Sequence, residues 1–401
     1  MTTHTIEAEV AGLGDGGDGR IDTPEGPLFV PFTVPGDVVR VDASGKVAAV
    51  VERLVDGPDR IEAACRHFET CGGCALQHVT PPVYAAWKRG RIERALAASG
   101  LEAAVGEPFV VAPGTRRRVR LAIDTRRGFG MGFRERRSHR IVRIEECPVA
   151  EPEIVALLPR LARSLPEKLR ADISIMRLDG AIDVAVETGH RIELSAASSL
   201  AEFAARCDVA RVTWSGDPVV TRAPVRARIG KFTVDLPPGA FVQPTAEGET
   251  LLRCLAGEAL AGAERIADLY AGCGLLGLAL AATARVDFFE SAADQVGAIA
   301  RAAPHNRADR RDLARQPLTP KELAGYDGAL LDPPRAGALE QVRRLAESAV
   351  PVIAYASCNP ATFARDARIL VDAGYRMGEV QPIDQFLYSP HVELFAAFRK
   401  P

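Results

Sequence analysis

From residue 249 onward the chain alternates short apolar segments with stretches of helical periodicity. Apolar segments this short, bounded by polar turns, predict buried parallel strands, and strands that alternate with helices predict a doubly wound α/β sheet. Residues 328–331 precede Asp332, and residues 349–354 precede the turn that contains Cys358. Ligands bind at the carboxyl ends of the strands in such sheets. We therefore expect Asp332 and Cys358 to face one crevice.

The length and composition are those of a folded multidomain protein, with 401 residues of which 47% are hydrophobic and 25% are charged. A chain of this length is expected to hold two or three domains. It contains no apolar segment of about 18 residues, the length that indicates a membrane-spanning helix. The first seven residues lack the pattern of a signal peptide. We expect a cytoplasmic protein with no membrane partner.

Changes in pattern divide the chain into three predicted domains. Residues 1–57 carry short strand-like segments and a Gly/Asp-rich turn at 14–19, which indicates a small β-barrel. Residues 58–248 form a central α+β domain with a helix expected over 84–98. Residues 249–401 form the α/β domain described above.

The net charge of −2 conceals a dense basic segment. Residues 116–143 contain eleven arginines but only two acidic residues, Asp124 and Glu135. The arginines are Arg116, Arg117, Arg118, Arg120, Arg126, Arg127, Arg134, Arg136, Arg137, Arg140 and Arg143. Guanidinium groups match the geometry of phosphate oxygens, so the segment predicts binding to a phosphate backbone. The alternative is a solvated protein face.

A glycine-rich turn follows the predicted strand at 266–269 and marks a cofactor site. Gly272, Gly274 and Gly277 have the spacing of a dinucleotide site, so a nicotinamide oxidoreductase is one interpretation. Asp268 favours S-adenosylmethionine instead, because its carboxylate repels a pyrophosphate and suits the amino-acid end of that cofactor.

Further acidic residues follow the next strands in order. Glu290 ends the strand after the glycine turn and is placed for ribose hydroxyls. Asp312 is a candidate for the adenine amine, and Asp332 ends the fourth strand. This series predicts a class I methyltransferase. The alternative is that Asp268 and Glu290 only cap helices.

The eight cysteines are unevenly placed, and clustered cysteines in a cytosolic chain indicate metal ligation or catalysis. The candidate metal ligands are Cys65, Cys71, Cys74 and Cys147. Four thiolates suit zinc or an iron–sulfur cluster, and three clustered ligands plus a distant Cys-Pro favour a structural [4Fe–4S] cluster. The alternative is four reduced thiols. We expect Cys207, Cys254 and Cys273 to be apolar fillers.

Together these motifs resemble those of the RNA 5-methyluridine (uracil-C5) methyltransferases over nearly the full length. The segments that carry the resemblance are 30–37, the four clustered cysteines, 241–245, 268–274, 332–337, 357–360 and 391–393. The resemblance implies an N-terminal OB-fold barrel of TRAM type, a [4Fe–4S] cluster, a central α+β domain and a Rossmann-like class I methyltransferase domain. It also implies site roles: Gln243, Tyr270, Glu290 and Asp332 contact S-adenosylmethionine, Cys358 is the nucleophile and Glu393 is the base. The glycine turn at Gly272 belongs to the same cofactor site.

Two positions depart from the family pattern. Thr245 stands where asparagine is usual, and Ser389-Pro390 stands where a His-Thr pair is commoner. The first puts an amide contact in question, and the second bears on substrate choice.

The implied chemistry is consistent with the residue types. Carbon 5 of uracil becomes nucleophilic only after a thiolate adds to carbon 6, and the carbon 5 proton must later be removed by a base. Glu393 precedes the apolar segment 394–398, and burial there raises a carboxyl pKa toward the working pH.

The predicted substrate is a uridine in structured RNA, unstacked from its neighbours to reach the pocket. We expect 23S rRNA as the target, with tRNA as the second choice, and a monomeric enzyme. The non-enzymatic alternative is an RNA-binding iron–sulfur protein with a decayed methyltransferase domain, which predicts losses among the site residues.

Overall fold

The computed structural model describes residues 5–43, 48–126 and 130–400. The helices are α1 (Pro81–Ala98), α2 (Pro152–Ser164), α3 (Leu194–Arg206), α4 (Ala246–Ala259), α5 (Gly277–Leu280), α6 (Ala293–Ala302), α7 (Pro320–Leu323), α8 (Leu339–Ala346) and α9 (Pro360–Asp372). The strands are β1 (Thr5–Glu9), β2 (Gly12–Leu13), β3 (Gly19–Thr23), β4 (Gly26–Val30), β5 (Val38–Asp42), β6 (Ala49–Val55), β7 (Phe109–Val110), β8 (Arg118–Asp124), β9 (Met131–Arg134), β10 (Ile141–Arg143), β11 (Arg170–Leu178), β12 (Ala181–Glu187), β13 (Arg211–Trp214), β14 (Asp217–Thr221), β15 (Arg226–Ile229), β16 (Phe232–Asp235), β17 (Arg265–Leu269), β18 (Arg285–Glu290), β19 (Ala308–Arg310), β20 (Gly328–Leu331), β21 (Val352–Ser357), β22 (Arg376–Met377), β23 (Gln381–Asp384) and β24 (Glu393–Arg399).

The N-terminal strands form two small antiparallel sheets, ordered β1-β5-β6 and β2-β3-β4. Alternate side chains of β1, β3 and β5 point inward, as the period of two in a strand requires. Val10, Ile21, Val30, Val39 and Val41 form their shared core.

The middle of the chain forms a seven-stranded sheet, ordered β10-β9-β8-β11-β12-β13-β14. Its pairs are antiparallel except for β12 with β13, which run parallel. The apolar faces of α2 and α3 share one hydrophobic core with it.

The C-terminal part forms the largest sheet, ordered β19-β18-β17-β20-β21-β24-β23-β7, with β22 also pairing with β24. The five strands from β19 to β21 run parallel, as predicted. The strand β24 departs from an all-parallel sheet because it runs antiparallel to both of its neighbours, β21 and β23. The carboxyl ends of the parallel strands therefore meet the beginning of β24 at one edge.

The helix α1 begins at Pro81, three residues before the predicted start, since proline is favoured in the first turn of a helix. Its buried residues are Tyr84, Trp87, Lys88, Ile92 and Leu96. It packs against α9 and β23 of the largest sheet. None of the helices that the structure describes combines the length and the apolarity needed to cross a membrane.

Candidate active site

A cleft of about 740 Å³ opens at the carboxyl ends of the parallel strands. It brings together all the residues that the sequence assigned to catalysis or to the cofactor. They are Gln243, Asp268, Tyr270, Gly272, Glu290, Asp312, Asp332, Cys358 and Glu393. Most of these residues lie at the ends of strands of one sheet, and Gln243 joins them from the segment just before α4, 150 positions before Glu393.

The glycine turn is shaped around two carboxylates. Asp268 is buried, and a Cβ at Gly277 would clash with its Oδ2, so only glycine fits there. Gly272 adopts a φ of 57°, and its amide donates to Glu290 Oε2 over 3.0 Å. Glu290 Oε1 accepts from the amide of Ala292, just before α6. Glu290 therefore accepts hydrogen bonds both from the glycine turn and from the amide just before α6. Asp268 Oδ2, in contrast, has no hydrogen-bond partner among the described residues.

Among the carboxyls that line the cleft, Asp268 and Asp332 have raised pKa values. Burial, together with the charges of Asp332 and Glu290, raises the pKa of Asp268 to about 8. Burial also raises the pKa of Asp332 to about 7, against the effect of a 3.0 Å hydrogen bond from Gln243 Nε2. A cationic ligand favours the ionised form of such carboxyls. The site is therefore suited to a positively charged cofactor.

The thiol of Cys358 and the carboxyl of Glu393 lie on adjacent strands. Ser357 of β21 is paired with Leu394 of β24, so extending the register by one residue places Cys358 opposite Glu393. Asp332 follows β20, the other neighbour of β21. The nucleophile and base expected for this chemistry are thus held by backbone pairing within one sheet.

The protonation of this pair depends on the carboxyls around it. Burial and the charge of Asp332 raise the pKa of Glu393 well above its ordinary value, so the predicted direction is confirmed. Burial, with the charges of Glu393 and Asp332, raises the pKa of Cys358 to about 12, and Arg335 opposes the shift. Neutralising either carboxyl therefore favours the reactive thiolate.

Prediction from the sequence missed Gln385, which links the two halves of the site. Its Nε2 donates to Gln243 Oε1 over 2.7 Å and to Glu393 Oε2 over 3.3 Å. Gln243 in turn donates a hydrogen bond from its Nε2 to Asp332, so these hydrogen bonds connect Glu393 to Asp332. The sequence did hold a signal for Gln385, namely its position. It directly follows β23, just as Cys358 directly follows β21. Three further residues of the cleft that were not assigned a role are Arg335, Phe386 and His391.

The two departures from the family pattern have local roles. Thr245 is fully buried and caps α4, accepting from the amide of Gly248 over 3.1 Å. It is not among the residues that line the cleft. Ser389 Oγ donates to the carbonyl of Phe386 and accepts from the amide of His391, which closes the loop before Glu393.

The four clustered cysteines converge on one region. All are half-buried, and burial raises the pKa of Cys71 to about 11, with smaller contributions from the charges of Cys147 and Cys65. Cys74 interacts electrostatically with the other three, Cys147, Cys71 and Cys65. Within residues 5–43, 48–126 and 130–400, no group of His, Cys, Asp or Glu has the spacing to hold a metal ion. The described residues thus bring the four thiols into one region without showing a metal site among them.

The remaining cysteines only partly match the expectation of apolar fillers. Cys273 is buried in the glycine turn, and burial raises its pKa to about 12. Cys207 is half-buried. The prediction is wrong for Cys254, which is exposed because α4 turns Leu252 and Ala256 toward the core instead.

Most of the arginines of the basic segment are engaged by protein carboxylates. The ion pairs are Arg120 and Arg134 with Asp172, Arg126 with Asp124, Arg136 and Arg137 with Asp18, Arg140 with Glu135, and Arg143 with Glu145. Arg127 lies outside the described residues. Arg117 is buried, pairs with Glu249 and donates to the carbonyl of Gln243, so it cannot meet a phosphate.

Two arginines of this segment lie at the cleft without a carboxylate partner among the residues that the structure covers. Arg118 lies 4.9 Å from the ring centre of Phe241, and Arg116 lies 5.8 Å from that of Phe386. Both rings line the cleft. Of the described arginines in this basic segment, only Arg116 and Arg118 thus remain available near the site.

Comparison with known proteins identifies the family. A model described as tRNA (Uracil-5-)-methyltransferase matches residues 318–400. A protein of Caulobacter vibrioides named as an uncharacterized RNA methyltransferase is 41% identical over 100% of both chains. The 23S rRNA (uracil(1939)-C(5))-methyltransferase RlmD of Pseudomonas entomophila is 34% identical, over 95% of this chain and 91% of that protein. This chain belongs to the RNA (uracil-C5)-methyltransferase family.

The fold of this RNA (uracil-C5)-methyltransferase agrees with a solved structure. The tRNA (uracil-54, C5)-methyltransferase of Pyrococcus abyssi, in complex with S-adenosyl-L-homocysteine, superposes with a TM-score of 0.76 at 26% identity. The match covers 98% of this chain and 99% of that one. The predicted class I methyltransferase fold is confirmed.

Proposed function

We propose that this methyltransferase uses S-adenosylmethionine to methylate carbon 5 of a uridine in structured RNA, with Cys358 as nucleophile and Glu393 as base. The observation that carries the proposal is the cross-strand placement of a thiol opposite a buried carboxyl, inside a cleft with further carboxyls. A dinucleotide oxidoreductase has no use for that pair. A decayed enzyme would have lost members of the site, and each is present.

The geometry of the cleft supports the following roles. S-adenosylmethionine supplies the methyl group as a sulfonium cation. Asp268 and Asp332 bind its positive charges, since their buried oxygens are ionised most readily beside a cation. Glu290 and Asp312 are placed for the ribose and the adenine, Tyr270 lines the same cleft, and Gly272 admits the ligand close to backbone. Gln243 orients Asp332.

Cys358 adds to carbon 6 of the uracil, and the electron pair that is displaced makes carbon 5 nucleophilic. After the methyl group has moved to carbon 5, Glu393 takes the carbon 5 proton. The electrons of that C–H bond form the C5–C6 double bond, the C6–S bond breaks, and Cys358 leaves as a thiolate. Asp332 would hold the cationic end of the cofactor, and that positive charge would lower the electrostatic cost of the initial thiolate.

The target class is proposed to be 23S rRNA. Its support is the relative named as a 23S rRNA methyltransferase, whereas the structural neighbour named for tRNA keeps tRNA as the second candidate. We assign residues 1–57 as the TRAM barrel that contacts RNA, residues 58–248 as the central domain and residues 249–401 as the methyltransferase domain of a monomer.

Two measurements test the proposed function. RNA that carries tritium at carbon 5 of its uridines should release tritium only when protein and S-adenosylmethionine are both present. Absence of release, with methyl incorporation elsewhere, would contradict carbon 5 as the acceptor. RNA from a deletion strain should lack one 5-methyluridine in 23S rRNA; a loss confined to tRNA would move the target to the second candidate.

The four clustered cysteines are proposed to hold a [4Fe–4S] cluster. Such a cluster binds four thiolates at separate irons and here would join residues 65–74 to Cys147. We expect anaerobically purified protein to be brown and to contain about four irons per chain. Serine at Cys71 or Cys147 should lower the folded yield, while Cys254→Ser, at an exposed position, should not. Colourless protein with one zinc per chain would contradict the cluster.

The arginines at the cleft are expected to bind RNA phosphates. The double substitution Arg116→Gln and Arg118→Gln should weaken RNA binding and reduce the slope of affinity against salt by roughly two, since each phosphate contact adds about one. S-adenosylhomocysteine affinity should be unchanged. Arg120→Gln is the control, because that guanidinium is already paired with Asp172. An unchanged salt slope in the double variant would leave these arginines as part of a solvated face.

A further inference from the structure

A fully buried lysine lies behind the active site. Lys88 is on α1, and its Nζ lies 2.7 Å from Asp384 Oδ1, which is also fully buried. The ammonium also donates to the carbonyl oxygens of Ser389, over 2.8 Å, and of His391. A lysine ammonium has three donors, and here each has an acceptor. A buried charge is costly, so its partners indicate what it holds in place.

All three acceptors lie in or beside the loop 385–391, which joins β23 to β24. Glu393, the proposed base, begins β24 two residues after His391. Gln385, which donates to the carboxyl of Glu393, directly follows Asp384. The contacts of Lys88 therefore fix both ends of the loop that begins with the hydrogen-bond donor Gln385 and leads into the base Glu393.

Other groups from the N-terminal half hold the middle of the same loop. The hydroxyl of Tyr84, one turn before Lys88 on α1, donates to Asp384 and accepts from the amide of Tyr388 over 2.8 Å. The amides of Ala75 and Leu76 donate to the carbonyl of Tyr388 over 2.8 and 3.2 Å. The loop is thus anchored to residues about 300 positions earlier in the chain.

We propose that Lys88, with Asp384 and Tyr84, is a positioning residue that aims Glu393 at the carbon 5 proton. This inference rests on the proposed function, since it concerns the step in which Glu393 removes that proton. Lys88 contacts neither the cofactor side of the cleft nor Cys358, so it is expected to leave cofactor binding and thiol addition intact.

A second buried ion pair provides a matched control. Arg211 of β13 pairs with Asp183 over 2.6 Å and donates to the backbone carbonyls of Leu236 and Pro237. It therefore has the same set of partners as Lys88, one buried carboxylate and two carbonyls, but none of them belongs to the loop 385–391. Loss of either cation removes a buried pair, and only loss of Lys88 disturbs the loop.

The test compares Lys88→Met with Arg211→Met in the full-length protein. Labelled RNA and S-adenosylmethionine are mixed with each variant, and the covalent protein–RNA adduct is measured on a denaturing gel beside turnover. A misplacement of about 1 Å reduces a reaction step by about 100-fold. We expect Lys88→Met to lose about 100-fold in kcat and to accumulate adduct, with KM falling in parallel because the slowed step follows adduct formation. Arg211→Met should melt at a lower temperature without accumulating adduct.

Tyr84→Phe keeps the aromatic ring but removes the hydroxyl that bonds to Asp384 and Tyr388, so it replaces Lys88→Met in the test if that variant does not fold. We expect it to accumulate adduct to a smaller extent. Adduct at the wild-type level in the folded variants would overturn the inference. Glu393→Gln distinguishes failure of the positioning role from failure of the proposed function. If it traps adduct and the Lys88 and Tyr84 variants do not, only the positioning role is wrong; if it traps none, the proposed base itself is wrong.

Discussion

Replacing Cys358 with alanine should abolish both methyl transfer and the covalent protein–RNA adduct. No other group that lines the described cleft is a thiol except Cys273, which is buried within the glycine turn. Without addition at carbon 6, carbon 5 is not nucleophilic, so we expect a loss on the order of 10⁴-fold or more, as when a nucleophile is removed from a covalent catalyst. Single-turnover assays with labelled methyl donor, and a denaturing gel, measure the two effects.

Two controls make this result specific. S-adenosylhomocysteine should still raise the melting temperature of Cys358→Ala, because the cofactor carboxyls are unchanged. Cys254→Ala, at an exposed position of α4, should retain full turnover. Substantial turnover by Cys358→Ala would show that the reaction does not proceed by addition and elimination.

The second large effect is expected for Glu393→Gln. Glutamine keeps the size of the side chain and an oxygen that can accept from Gln385, but it cannot take the carbon 5 proton. Addition and methyl transfer should therefore proceed, and the RNA should remain bound through a thioether to Cys358. We expect product release to fall by about 10²- to 10⁴-fold, the usual contribution of a general base. A shifted band on a denaturing gel shows the adduct.

The pH dependence gives an independent measure of the same step. Burial and the Asp332 charge raise the pKa of Glu393, so in the ligand-free site the ionised base is scarce at low pH and increases as pH rises through that raised pKa. Product release by the wild type should therefore accelerate with pH, and Glu393→Gln should lose this dependence. The double variant Cys358→Ala, Glu393→Gln should give no adduct; a shifted band there would mean that another residue bonds to the RNA.

The strand ends of the catalytic sheet could be predicted because each short apolar segment is followed at once by a polar residue. Residues 328–331 coincide with β20, and Asp332 follows it. The segment 349–354 was placed slightly early, because Pro351 cannot donate to a sheet and β21 begins at Val352. The antiparallel direction of β24 carries no local signal, since strands buried on both faces look alike in sequence.

Side-chain partners across the chain could not be predicted. Arg117 has the same sequence context as Arg116 and Arg118, and its burial is decided by Glu249, which lies 132 residues later. Lys88 did carry a signal, because it shares the apolar face of α1 with Tyr84 and therefore needed a buried partner. The identity of that partner depends on tertiary structure alone.

The position of β24 inside its sheet has a consequence for biosynthesis. This strand follows all of its sheet neighbours in the chain, yet it lies between β21 and β23. The cofactor turn and the Cys358 loop therefore leave the ribosome before the strand that completes them. Asp384 is synthesised 296 residues after its partner Lys88, which takes roughly 15 to 60 s at about 5 to 20 residues per second. The N-terminal half of the chain is thus synthesised well before the active site can be completed by β24, which ends at Arg399.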